Sequence, residues 1–303
     1  MPKLLNIAMK KRQFICLCCS ALAIILVFTH RINAQTASSP VQLSTSISPA
    51  VVQQLAQANV IYLGETHDSP QDHLVQLQII EELHRRNPNI AIAMEMFQRQ
   101  YQFYIDRYLA NDLTEVRLQE ATKYKERWGY PWEYYAPILR FAKANRLPVL
   151  ALNAPSEIVR KVARNGLESL SQIEQQYYIP PISDIRTDNV AYRELMQEIY
   201  AGMHQQHGRS NNFERFFQAQ VLWDETMAEV IAKFVQANPD FQVIVLAGQG
   251  HIIYGYGIPS RVARRLGESN LVQRTVLLNP PSNITSKTDT PIADFIWKTT
   301  LTD

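Results

Sequence analysis

Asn59-Val60-Ile61-Tyr62-Leu63-Gly64-Glu65-Thr66-His67 decides how this chain is read. A short apolar run closed by a turn residue reads as a buried strand. Its glycine lets the backbone leave the strand tip sharply, so the histidine three residues on can point back over the sheet edge. The same pattern returns far down the chain, where the apolar run 241–247 leads into Gly248-Gln249-Gly250-His251. Open parallel sheets bind ligands at the carboxyl ends of their strands. Two such boxes, nearly the whole domain apart, therefore predict one composite site assembled by folding.

Outward from the boxes, apolar runs alternate with helical patterns. Residues 51–58 read as a short helix and 59–63 as the first strand. A long helix is expected over about 70–86, with Leu74, Leu77, Ile80 and Leu83 at helical spacing and Pro70 in its first turn. Further strands are expected at 89–94, ending at Glu95, and at 147–152, ending at Asn153, with Pro155 opening the next helix. The last two are 241–247 and 275–278. This order predicts an α/β fold with a mainly parallel sheet flanked by helices. Two long helical insertions, about 97–145 and 155–237, predict an inserted helical cap subdomain beside the strand tips. The domain spans 51–281. A polar Ser/Thr-rich linker precedes it at 35–50, and a tail, 282–303, ends in an amphipathic piece without an evident place.

The formal charge of +2 conceals an uneven distribution. Lys3, Lys10, Lys11, Arg12 and Arg31 all lie in residues 1–34, which hold no acid. The remaining body is slightly acidic, which gives no electrostatic reason to expect nucleic acid. Lys10-Lys11-Arg12, the apolar stretch 14–28 and Ile32-Asn33-Ala34 have the layout of a signal peptide over 1–34. The apolar stretch is shorter than the ~20 residues of a spanning helix. An exported, periplasmic protein is expected, or one that meets the membrane only through an uncleaved N-terminal segment. The three cysteines, Cys16, Cys18 and Cys19, all fall in that segment, so the body has no disulfide.

Several side chains could carry chemistry. Glu65, His67, Glu95 and His251 sit at neighbouring strand tips, and such a set can bind a divalent metal and activate water. It can equally form a hydrogen-bonded cluster that holds a pocket. Gly64, His73, Asn153, Gly248 and Gly250 share that neighbourhood. Gln220 and Asp224, one helical turn apart, can reach one spot together. Half of the fourteen tyrosines lie in 101–135: Tyr101, Tyr104, Tyr108, Tyr124, Tyr130, Tyr134 and Tyr135. With Trp128 and Trp132 they make either ordinary packing or the wall of a site for a flat aromatic ligand. A tyrosinate can also ligate ferric haem. His204 and His207, at i and i+3 on a helix end, have a spacing that permits shared ligation. There is no phosphate-cradling loop, nucleophile elbow or Cys/His zinc pattern.

With these elements in place, the chain resembles the ChaN-like haem-binding lipoproteins of the Tiki/TraB/erythromycin-esterase superfamily. The resemblance rests on Leu63-Gly64-Glu65-Thr66-His67-Asp68 with His73, on Met94-Glu95-Met96-Phe97, and on 132–137 leading into Leu152-Asn153. It continues through Gln220-Val221-Leu222-Trp223-Asp224-Glu225-Thr226-Met227-Ala228 and Ala247-Gly248-Gln249-Gly250-His251, in the expected order over roughly 55–280. It implies an α/β domain with a helical cap and haem held between two subunits of a homodimer through tyrosine and histidine. Tyr101, Tyr104, Tyr130, Tyr134, His204 and His207 are the haem-ligand candidates here. The implied role is iron or haem uptake or handling. The same superfamily contains hydrolases, proteases with paired Gly-x-x-His boxes and esterases. A metal-dependent hydrolase using Glu65, His67, Glu95 and His251 is thus the alternative. The chain departs from the lipoprotein pattern at Leu17-Cys18, which lacks the small residue expected before an acylated Cys19.

Overall fold

In the computed structural model, β1 (Val60–Glu65) and β4 (Gln242–Gly248), the two box-bearing strands, lie side by side and parallel. Their register pairs Gly64 with Ala247 and Glu65 with Gly248, so both boxes leave the sheet at one level. The structure describes residues 48–207, 212–267, 271–282 and 290–298, with the backbone alone for 203–207. Residues 1–34, expected as a signal peptide, most of the 35–50 linker, and the side chains of His204 and His207 lie outside the described residues.

The sheet has six parallel strands in the order β3-β2-β4-β1-β5-β6, adding β2 (Ile90–Gln98), β3 (Val149–Asn153), β5 (Gln273–Leu278) and β6 (Phe295–Trp297). The strand β6 comes from the amphipathic end of the tail, which returns to pair with β5. The helices are α1 (Pro49–Leu55), α2 (Pro70–Arg86), α3 (Gln102–Leu109), α4 (Glu115–Thr122), α5 (Tyr124–Arg127) and α6 (Trp132–Ala144). They continue as α7 (Ser156–Asn165), α8 (Gln172–Tyr178), α9 (Val190–His207), α10 (Phe213–Ala237) and α11 (Ile258–Leu266). Among the described residues no helix is long and apolar enough to cross a membrane.

Strand side chains alternate between the two faces of a sheet, and here the alternation assigns each face its own core. Ile61, Leu63, Ile244 and Leu246 pack with Ile79, Ile80 and Leu83 of α2 and Ile138, Leu139 and Ala142 of α6. Val60, Tyr62, Val243 and Val245 pack with Val159 and Val162 of α7, Leu222 and Ile231 of α10, and Val262 of α11. The two insertions therefore supply much of both flanking layers, and only some of their residues reach over the strand tips.

The edge strand β3 is closed by a side chain. The Gln102 amide donates to the Val149 carbonyl at 2.7 Å and accepts from the Ala151 N–H at 2.7 Å. This is the pairing a further strand would make.

Candidate functional site

Parity carries Glu65, at the end of β1, to the α2/α6 face. Glu95 of β2 follows Ala93 to the α10 face. Beside Glu95 the ladder between β2 and β3 slips, Met94 pairing with Ala151 but Gln98 with Asn153. Irregularities of this kind commonly re-aim a side chain next to a site. The Asn153 amide donates to the Glu95 carbonyl at 2.8 Å and accepts from the Trp223 indole, which pins the irregular segment.

On the first face, Glu65 is the hub. His67 Nδ1 lies 2.8 Å from its Oε1, the Tyr135 hydroxyl donates to the same oxygen at 2.5 Å, and the Gln76 amide donates to Oε2 at 2.6 Å. His73 Nδ1 stands 3.6 Å from Oε2, and its Nε2 is 3.1 Å from the His67 carbonyl. Helix α2 delivers His73 and Gln76 from one face, three residues apart. Ser69 caps that helix, and the Asp72 carboxylate turns back to accept from the Thr66 N–H at 2.8 Å and from Asn279 at 2.7 Å. Burial raises the Asp72 pKa against those bonds. Burial would also raise Glu65, but the His67 bond and the imidazoles of His73 and His67 outweigh it and leave its pKa lowered.

On the second face, His251 occupies the centre. Its Nδ1 lies 2.5 Å from Asp224 Oδ1 and its Nε2 lies 3.5 Å from Glu95 Oε1. The Gln220 amide is 3.1 Å from the same Nδ1, so both α10 residues reach one imidazole. The buried Tyr192 hydroxyl donates to Asp224 Oδ2 at 2.5 Å. Burial opposes a charge on His251, yet Glu95 and Asp224 outweigh it and push the pKa up to about 10. Conversely, His251 and His67 hold Glu95 down at about 2 despite its burial. His67 follows the same logic, its bond to Glu65 and the charges of Glu95 and Glu65 raising its pKa over the burial penalty.

The two halves meet at Gly248, on the strand between β1 and β2. Its N–H donates to Glu95 Oε2 at 2.8 Å. A Cβ there would stand 2.9 Å from His67 Nε2 and 3.8 Å from Glu95 Oε2. The absent side chain is what lets the two faces approach. At Gly64 the nearest neighbour of an added Cβ is the Leu277 methyl at 2.7 Å, so that glycine serves sheet packing. Gly250 lies inside the 3₁₀ turn Gln249–His251 that swings the second histidine inward.

Aromatic rings roof the cluster. Trp128 meets His67 edge-on at 4.7 Å, Tyr130 lies 5.2 Å from it, and Tyr134 stacks on His73 at 4.9 Å. Tyr101 and Tyr104, at the start of α3, face each other at 6.4 Å between ring centres. They are half-buried, with the Arg127 guanidinium 5.4 Å from the Tyr101 ring centre and Phe103 beside them 63% exposed. Of the tyrosines singled out in the sequence, Tyr130 and Tyr134 thus lie against the strand-tip histidines, whereas Tyr101 lies beside Arg127 just past the end of β2. Sequence reasoning missed Gln76, Tyr135 and Tyr192 as members of the cluster. Gln76 was readable from its spacing to His73, whereas nothing distinguished the two tyrosines from their neighbours.

The cluster can hold charge in a dry place, since its carboxylates and imidazoles neutralise one another. As a metal centre the fit is poor. Among the described residues no three His, Cys, Asp or Glu side chains are grouped as ligands for one ion.

A sequence model described as haem-binding uptake, Tiki superfamily, ChaN matches residues 51–262. In fold the chain is similar to ChaN of Campylobacter jejuni, solved with cofacial haem, at a TM-score of 0.62 and 19% identity over 82% of this chain and 89% of that one. It is also similar to the chloroplastic protein RETICULATA-RELATED 5 of Arabidopsis thaliana, 27% identical over 268 residues. Those residues are 82% of this chain but only 35% of that relative, so the chain spans about a third of its length. An erythromycin esterase structure aligns with 76% of the chain at 13% identity and a TM-score of 0.46.

Proposed function

The chain belongs to the haem-binding uptake, ChaN family of the Tiki superfamily, and from that premise we propose that it binds haem on the surface around Tyr101. Ferric haem asks a protein for an axial oxygen or nitrogen donor, an apolar plate for the porphyrin and cations for its carboxylates. Tyr101 offers the phenol, and Phe103 and Tyr104 offer aromatic area. Arg107, 5.8 Å from the Phe103 ring centre, offers the positive charge for a carboxylate, and Arg127, paired with Glu157, stands over the phenol. The residues present fit the group.

The observation that carries the reading is Arg127 over Tyr101. Arg127 is itself fixed by Glu157 at 2.9 and 2.7 Å, so its guanidinium is held in place beside the phenol that would bind iron. Iron bound there would be held as a phenolate complex, a hard oxygen ligand suited to the ferric state. Tyr135 and Tyr192 are unsuited, because burial and the adjacent carboxylates raise their pKa values and their hydroxyls are committed inward. Tyr130 and Tyr134 are seated against His67 and His73. The exposed side of Phe103 leaves room for a second copy to cover the other porphyrin face. The basic, apolar N-terminus supports an exported protein that handles haem in uptake.

Titration with hemin tests this. A shifted Soret band saturating at stoichiometric hemin, altered by Tyr101→Phe, together with hemin-dependent dimers in light scattering, is expected. No spectral shift would overturn the function, and a Tyr101→Phe spectrum identical to the parent would overturn the ligand. A hydrolase centred on Glu65, His67, Glu95 and His251 is less favoured. Both imidazoles and both carboxylates are committed to one another or to neighbouring buried groups, His67 to Glu65 at 2.8 Å and His251 to Asp224 at 2.5 Å, so none of the four is turned toward an incoming water.

A further inference from the structure

Helix α3 begins at the proposed haem surface and ends, at Leu109, on a different feature. There a groove of about 850 Å³ opens between the end of α3, the end of α6 and the segment entering β3. It lies beyond the amino ends of the strands, away from the strand-tip cluster. Leu109, Leu147 and Pro148 line its apolar part. Arg140, Lys143 and Arg146 supply its cations, and Asp106 is the acid among its lining residues.

These charges are not equivalent. Arg140 is committed to Glu115 at 2.6 Å and Glu133 at 3.0 Å. Asp106 accepts from the Gln102 amide at 2.8 Å. Lys143 is half-buried with its ammonium 4.2 Å from the Tyr108 ring centre. Neither Lys143 nor Arg146 has a carboxylate partner among the described residues. Arg146 moreover takes up a left-handed backbone, φ 57°, just beyond the end of α6, where glycine is the ordinary choice. Asn111 on the opposite wall is left-handed too, at φ 66°. A cation near a helix end complements its dipole, but that account needs neither a half-buried ammonium nor an arginine in a glycine conformation.

We propose that this groove binds a small amphiphilic anion, an apolar body ending in a carboxylate or similar oxyanion. Lys143 and Arg146 hold the acid group, while Leu109, Leu147 and Pro148 cover the apolar body. The volume is in the range of small-molecule sites, which pair apolar walls with a few polar anchors.

Calorimetric titration of the full chain with octanoate, and with octanamide as its uncharged counterpart, tests the assignment. Saturable octanoate binding at one site is expected, with octanamide at least tenfold weaker. Replacing both cations (K143E with R146E) is expected to weaken octanoate at least tenfold. Ala144→Trp, on the exposed groove wall, is expected to abolish binding by filling the space without changing charge. Equal heats for the two ligands, or binding unchanged in either variant, would overturn the proposal. If the charge-reversed protein fails to fold, Ala144→Trp decides alone. Hemin spectra recorded on the same variants should match the parent, so failure at the haem surface and failure at the groove are read separately.

Discussion

Raising the pH should weaken this fold well before any lysine or tyrosine titrates, because His251 is charged inside it. The imidazole is 2% exposed and lies between Asp224 and Glu95, with its folded pKa raised from 6.5 to about 10. A base whose folded pKa is raised gives its full stabilisation below the unfolded value and loses it as pH climbs toward the folded one. The loss should therefore begin near pH 6.5 and continue to about pH 10. One proton of difference changes stability by about 1.4 kcal/mol per pH unit, so pH 6.5 to 9.5 should remove about 4 kcal/mol. His67, also raised, adds in the same direction. Urea unfolding at half-unit pH steps would measure the slope. His251→Gln should be less stable at pH 6.5 and show a slope shallower by up to one proton. A parent stability that is level from pH 6.5 to 9.5, or an unaltered slope in His251→Gln, would refute a buried imidazolium at this position.

Three further outcomes follow from single contacts in the structure. Gly248→Ala places a methyl 2.9 Å from His67 Nε2 and should cost about 1–3 kcal/mol, read as a fall in Tm. Glu225→Gln leaves Arg261, Arg264 and Arg265 around a neutral amide. All three now converge on the buried carboxylate, at 3.4, 2.7 and 2.5 Å, so a loss of about 3–5 kcal/mol in denaturant unfolding is expected. Gln102→Ala unplugs the β3 edge; it should cost about 1–3 kcal/mol and speed hydrogen exchange at the Ala151 amide.

The parts of the fold legible in the sequence were those with an unambiguous period. Strands β1, β2 and β4 are continuous apolar runs, as strands covered on both faces must be. The helix Pro70–Arg86 starts and ends where its proline and apolar spacing place it. The strand β6 escaped because Phe295–Trp297 is too short for any period and gains its identity only from pairing with β5. In the candidate site, the two boxes do leave the sheet at neighbouring strand tips, but the pattern within each strand could not by itself show that Glu65 and Glu95 face opposite ways. That depends on the order of the strands, which places β4 between β1 and β2. The hydroxyls of Tyr135 and Tyr192 joined the cluster for the same reason, through packing of remote helices against opposite faces.

The strand order has a further consequence, for how the chain is made. Strands β1 and β2 are successive in sequence yet not neighbours, since β4 fills the gap between them. Until β4 leaves the ribosome, both present unpaired edges of largely apolar strands, and closing that gap means joining segments about half the chain or more apart. Such distant pairing is slow and leaves edges open to other chains. The last box to be synthesised is therefore also the wedge that joins β1 to β2, and a chain truncated before Gln242 would lack the strand that protects the two facing edges.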